Sequence, residues 1–139
     1  MKKAFSKAWK ASKQPRKQRK YNYNLPLHLK HSMLSAHLSK DLRKKYGRRA
    51  FPVKKGDKVK IMRGQYAGKD GKIDRVDQKL SKVYIPGIER AKKDGSKSLY
   101  PLTPSNLMIV ELDTSDNKRK EALSKDSVKQ TPAKPAAKN

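Results

Sequence analysis

Three glycines, Gly64, Gly68 and Gly71, punctuate the stretch "RGQYAGKDGKI" at residues 63–73, with Arg63, Lys69 and Lys72 beside them and Tyr66 between. Glycines next to a lysine are the material of a nucleotide-phosphate loop, in which a turn leads from a strand into a helix and a hydroxyl holds magnesium. The spacing excludes that chemistry. Three residues rather than four separate Gly64 from Gly68, and Asp70, a carboxylate, stands where the hydroxyl is needed. The following "KDGKI" reads as a turn that re-enters an extended pattern, with Asp70 as its turn former. Two readings remain. One is a solvated hairpin tip, where glycine supplies positive φ and lysine keeps the edge soluble. The other is a loop whose bare backbone and cations close on a phosphate chain.

Other reactive groups are sparse. His28 and His31 are three apart and His37 follows six later. Helical spacing would put the first two on one face, but there is no cysteine and Asp41 is the nearest acid, so no metal site is assigned. Ser32, Ser35 and Ser39 lie near the histidines and also near helix starts, where capping accounts for them. No set of nucleophile, base and orienting group is found, so neither an enzyme nor a cofactor is expected.

The elements that must position these residues are set by an unusual charge. Lysine and arginine number 37 against 12 acids, a formal charge of +25 on 139 residues, with only 34% hydrophobic content. A small core and a polyanionic partner follow. Membrane insertion is not expected, because no apolar run approaches the roughly 20 residues of a spanning helix. The amino end is basic but lacks the apolar stretch of a secretory signal, so the chain is expected to stay where it is made. The absence of cysteine excludes a disulfide framework.

Four segments are expected. Residues 1–24 form a basic arm: the first forty residues hold eleven lysines or arginines and no acid. Within the arm, "KQPRKQRKYNYNLP" cannot bury enough apolar surface to fold alone and should order on a partner. Arg16, Lys17, Arg19 and Lys20 supply its charge, and Tyr21 and Tyr23, alternating with asparagines in an extended strand, supply stacking groups. Phe5, Ala8 and Trp9 lie at helical spacing and read as a frayed terminus with no assigned function. Residues 25–49 fit two short helices, the second starting after Ser39 and closing at Gly47, with Lys44 and Lys45 on its exposed face. Arg48 and Arg49 come next, placed either to bridge segments of a polyanionic partner or to pair with acids such as Asp41.

Residues 50–113 change to a period of two. "DKVKIM", "KVYIPGI" and a final "NLMIVEL" read as strands, with turns at Gly56-Asp57, Asp70-Gly71, Asp77-Gln78 and Asp94-Gly95. Short strands in such succession predict a small bent β-barrel, since closure removes exposed edges, with the helical segment packed outside. Lys92, Lys93 and Lys97 flank a second basic hairpin. Residues 114–139 are polar and rich in Lys, Ala and Pro towards the end, and are expected to be largely disordered.

The unit "KKGDKVKIMRGQYAGKDGKIDRV" resembles a KOW motif through Gly56, Asp57, Val59, Ile61, Gly64, Gly68, Gly71 and Ile73, with Gly68 at the hallmark glycine. Together with "QPRKQRK", "PLHLKHSMLSAHLSKDLRKKYGRRAFPVKKGD" and "PLTPSNLMIVELD", residues 13–123 are similar to the archaeal and eukaryotic branch of the KOW-domain ribosomal protein family of the large subunit. That resemblance implies a mostly β chain with an SH3-like barrel. It implies binding to large-subunit rRNA near the peptide exit tunnel, a part in subunit assembly, and neighbouring ribosomal proteins and nascent-chain factors as partners. Tyr66 then has two roles open to it, stacking on an unpaired base or capping the barrel's end. A KOW-type elongation factor would carry a separate α/β domain for which the chain has no room. An architectural DNA-binding protein would explain the charge but not the KOW loop.

Overall fold

The computed structural model describes Phe5, Ser6, Trp9 and residues 12–127. Helix α1 (Pro15–Asn24) begins on a proline, whose missing N–H costs nothing in a first turn. It buries none of its residues. The arm is therefore helical in this chain rather than extended, and Tyr21 and Tyr23, two apart, fall on different faces of it. Helix α2 (Leu27–Met33) follows Pro26, then strand β1 (Ser35–Leu38), which turns Ala36 and Leu38 inward. Helix α3 (Lys40–Tyr46) starts where the Ser39 hydroxyl accepts the Leu42 N–H and stops at Gly47, at φ 64°, whose N–H donates to the Arg43 carbonyl. Asp41 in its first turn and Arg43, Lys44 and Lys45 in its last suit the helix dipole.

Both expected short helices form, but the strand between them was not foreseen. Leu34 and Leu38 are spaced as on one helix face, yet Leu38 belongs to a strand of period two. Ser35 is no helix cap; its hydroxyl donates to the Ser32 carbonyl at 2.8 Å.

The remaining strands are β2 (Ala50–Pro52), β3 (Lys58–Ile61), β4 (Asp70–Lys72), β5 (Arg75–Asp77), β6 (Lys82–Tyr84), β7 (Glu89–Ala91), β8 (Lys97–Leu99) and β9 (Leu107–Glu111). Five of them form one sheet in the order β2-β1-β9-β3-β4, while β5-β6 and β7-β8 are separate hairpins. Strand β9 runs parallel to β1 and antiparallel to β3, so the last apolar run lies mid-sheet. A bridge between Val83 and Leu102 ties β6 to the chain entering β9. The result is a mostly β domain of three small sheets with helices around them. Leu34, Leu38, Val59, Ile61, Val83, Ile85, Leu107 and Ile109, each at most 1% exposed, form its centre. Asp70 is not a turn residue: it sits in β4 opposite Lys60, and the turn precedes it.

The segment after Asp113 carries a further helix, α4 (Asn117–Ser127), where disorder was expected. Leu123 is fully buried in the core. The Arg119 guanidinium donates to both Asp57 oxygens at 2.7 and 2.6 Å, and to the carbonyls of Asp113 and Pro52 at 2.9 and 3.2 Å. Asp57, wholly buried, also accepts the backbone N–H groups of Lys54 and Asp113, each at 2.9 Å. A buried carboxylate so surrounded is satisfied at both oxygens, which a buried charge requires. One leucine and one arginine make too little hydrophobic period for the sequence to announce this helix. The Lys, Ala and Pro tail at 128–139 lies outside the described residues.

Candidate nucleic-acid interface

The β3–β4 connection is held by its own backbone. The Gly68 N–H donates to the Ile61 carbonyl at 2.9 Å, the Ile61 N–H to the Lys69 carbonyl at 2.8 Å, and the Ala67 N–H to the Gly64 carbonyl at 3.0 Å. Gly64 and Gly68 take φ of 94° and 89°, where an L side chain is strained, and a Cβ on either would meet nothing within 4 Å. Their faces are open. Gly71 differs: its φ is ordinary, but a Cβ would lie 2.6 Å from Ile85 Cγ2. Gly64 and Gly68 thus offer bare, exposed backbone, whereas Gly71 exists to let β4 pack on the core.

Tyr66 is half-buried. Its hydroxyl donates to the Glu89 carbonyl at 2.6 Å, its ring lies 5.2 Å from that of Tyr100, and the Lys69 ammonium sits 5.5 Å from its centroid. These contacts anchor its side chain to the folded domain. They also join the β3–β4 loop to the base of the β7–β8 hairpin, whose far end carries Lys92, Lys93 and Lys97. The hairpin turn is built by Gly95, at φ 79°, and by Asp94, which accepts the Ser96 N–H and hydroxyl. The Ser96 hydroxyl, then its N–H, hold the Asp94 carboxyl below the usual carboxylate range.

The other expected residues fall elsewhere. Arg16, Lys17, Arg19 and Lys20 are exposed on α1, and among the described residues no hydrogen bond joins that helix to the sheets. Tyr23 is 84% exposed, while Tyr21 is half-buried under Phe5 and Trp9, with ring centroids 5.0 and 5.3 Å away. Lys44 and Lys45 are exposed at the end of α3, and Arg49 is exposed before β2. Arg48 is held over the Phe51 ring at 5.5 Å. Phe5 and Trp9, given no role from sequence, prove to belong with Tyr21; only the aromatic spacing hinted at it. Arg75, 4.5 Å over the Tyr84 ring, is a further cation with no sequence signal.

Most of the acids take part in the fold. Between described residues, ion pairs engage Lys54 with Asp116, Lys55 with Asp74, Lys58 with Glu111, Lys97 with Glu89 and Arg119 with Asp57. Asp77 caps its turn by accepting the Leu80 N–H. Of the candidate RNA-contacting lysines only Lys97 is paired in this set, at 4.0 Å. The surface left over is strongly positive in the loop, the hairpin, α3 and α1. Among the described residues His28 and His31 are exposed on α2, His37 lies in β1, and no three metal-ligating side chains gather. No described helix is long and apolar enough to cross a membrane.

The family that unites the eukaryotic L26 ribosomal proteins with the archaeal L24 ribosomal proteins matches residues 12–126. The large ribosomal subunit protein uL24 of Methanosphaera stadtmanae is 48% identical over 114 residues, which cover 82% of this chain and 97% of that protein. With a family match over most of its length and a relative nearly half identical, the chain belongs to the family of eukaryotic L26 and archaeal L24 ribosomal proteins.

Proposed function

We propose that this chain is a structural, non-enzymatic constituent of the large ribosomal subunit in the cytoplasm, and that it binds large-subunit rRNA. The observation that carries the reading is the division of charge. Most carboxylates are engaged in turns and ion pairs, while Arg63, Lys69, Lys72, Lys92, Lys93, Lys44, Lys45, Arg49 and the α1 cations stay exposed. Such a surface neutralises phosphates. Gly64 and Gly68 allow the chain's backbone to reach them, and Arg48, over the Phe51 ring, and Lys97, 4.0 Å from Glu89, are further cations of the proposed interface. The three small sheets are read, by the family resemblance, as an SH3-like barrel from which loops project. By the family resemblance, the site is near the peptide exit tunnel, with neighbouring ribosomal proteins and nascent-chain factors close by, and binding aids assembly of the subunit.

The test is crosslinking in purified large subunits. Segments of rRNA should attach to peptides containing residues 63–72 and 92–97, and the protein should co-sediment with large subunits through moderate salt. Crosslinks to DNA, or release of the protein with chromatin, would overturn the reading.

A further inference from the structure

Residues 1–11 lie outside the family match, which begins at residue 12, yet two of their side chains take part in a defined cluster. Phe5 and Trp9 pack on Tyr21 of α1 with interplanar angles of 41° and 31°. All three rings are half-buried, so each keeps surface open to solvent. Beside them is a cleft of about 400 Å³ bounded by Phe5, Trp9, Tyr21, Lys17, Lys20 and Asn24. That volume falls within the range of small-ligand sites. Positions 17, 20, 21 and 24 follow helical spacing, so one face of α1 presents two ammonium groups, an aromatic ring and an amide together.

From this grouping we infer that the aromatic cleft on α1 is a binding site for an unpaired RNA nucleotide. Phe5, Trp9 and Tyr21 contact the base, Lys17 and Lys20 its phosphate, and Asn24 a base edge. The inference rests on the rRNA-binding reading and adds a site that Phe5 and Trp9, which precede the family match, complete. Charge complementarity selects the occupant: no acid precedes Asp41, so this end of the chain attracts only polyanions. A lipid surface fits less well. The helix "PRKQRKYNYN" has no aliphatic residue to sink among acyl chains, and the cleft carries an amide where a lipid-facing surface would carry leucine. Unpaired bases, in contrast, are held on aromatic side chains flanked by cations.

Trp9 is the chain's single tryptophan and therefore reports on this site alone. Full-length protein is titrated with a short oligoadenylate, with an abasic oligoribonucleotide of equal length, and with vesicles of anionic phospholipid, while indole emission is followed. Stacking predicts that oligoadenylate quenches Trp9 and the abasic strand does not. Tyr21→Ala should weaken oligoadenylate binding about 5- to 150-fold, and Tyr21→Phe should restore it. Because α1 buries none of its residues, these variants leave the folded domain intact, as circular dichroism would verify. Equal quenching by the abasic strand, or Tyr21→Ala binding oligoadenylate as tightly as the parent, overturns the cleft while leaving salt-sensitive rRNA binding in place. A blue shift with vesicles and none of the quenching with oligoadenylate overturns it in favour of a membrane contact. Failure to bind large-subunit rRNA at all overturns this inference and the broader reading together.

Discussion

Gly68 and Gly71 lie three positions apart and are glycines for different reasons. Gly68 needs a left-handed backbone with free space around it, whereas Gly71 needs the space that Ile85 fills. Gly68→Ala should therefore cost about 1–2 kcal/mol of stability from backbone strain. Gly71→Ala should cost about 1–3 kcal/mol from overpacking. Chemical denaturation of free protein measures both. Only Gly68→Ala should weaken rRNA binding by more than its loss of stability accounts for, because only its face is open; equal affinity losses in the two variants would contradict that distinction. Tyr66 illustrates what spacing could not settle. Its place at a loop tip left base stacking and a lid equally open, and the bond to the Glu89 carbonyl gives the hydroxyl a structural contact whatever the ring face meets. Tyr66→Phe should lose about 0.5–1.5 kcal/mol of stability, measurable by the same denaturation and absent if the hydroxyl were only a solvent contact.

Helix α4 depends on one ion pair far more than on its own sequence. Removing Arg119 strands the Asp57 carboxylate inside the domain, so Arg119→Ala should cost about 3–5 kcal/mol. Arg119→Lys should recover only part of this, since an ammonium cannot span both carboxylate oxygens. A loss below about 1 kcal/mol in thermal or urea unfolding would show that α4 is dispensable. The approach to the helix is also sensitive to acid. Asp113 is held below the ordinary value of 3.8 chiefly by the Ser115 N–H, and Asp116 chiefly by its hydrogen bond with Lys54. A carboxyl depressed in the folded state stabilises the fold above its unfolded value, and that contribution is lost as pH falls through the folded one. Acid unfolding should then begin near and below pH 3.8, with Asp116→Asn flattening the pH dependence in that window. The β1 strand makes a matching point about elements. "SAHL" is too short to reveal a period against the helical spacing of the leucines around it, and its partners, β2 and β9, lie on both sides of it in the sheet although both follow it in sequence.

For the molecule as a whole, the charge of +25 predicts affinity for rRNA that falls steeply with salt, with a slope of log K against log salt of about −0.7 per phosphate neutralised on single strands. A nearly flat dependence, measured by filter binding across salt concentrations, would remove phosphate neutralisation as the main source of affinity. Hydrogen exchange of free protein should divide the chain unevenly. Amides of β1, β3 and β9 should exchange slowest, since they bond at the centre of the main sheet. The Leu38 N–H, bonded to the Arg49 carbonyl, should be among them. Amides of α1 should exchange quickly, because nothing of that helix is buried. Slow exchange throughout α1 in the absence of RNA would mean that the arm is ordered before it meets a partner.

Local chemistry was sufficient for a good part of this protein. The excess of cations, the absence of thiols, the Ser39 to Gly47 helix, the alternation in β3 and β9 and the glycine spacing of the loop are all short-range properties, readable from a few adjacent residues. So was the expectation of a polyanionic partner, because charge sums along a chain whatever its fold. What needed the folded chain were the contacts between residues distant in sequence. Asp57 looked like a turn residue until Arg119, 62 positions later, was found on it. Gly71 looked like a loop glycine until Ile85 closed over its α-carbon. Tyr21 looked like one of two equivalent tyrosines until Phe5 and Trp9 covered one of them. Each of these roles is fixed by a neighbour whose distance along the chain carries no signal, and only close packing of the sheets and helices brings that neighbour within reach.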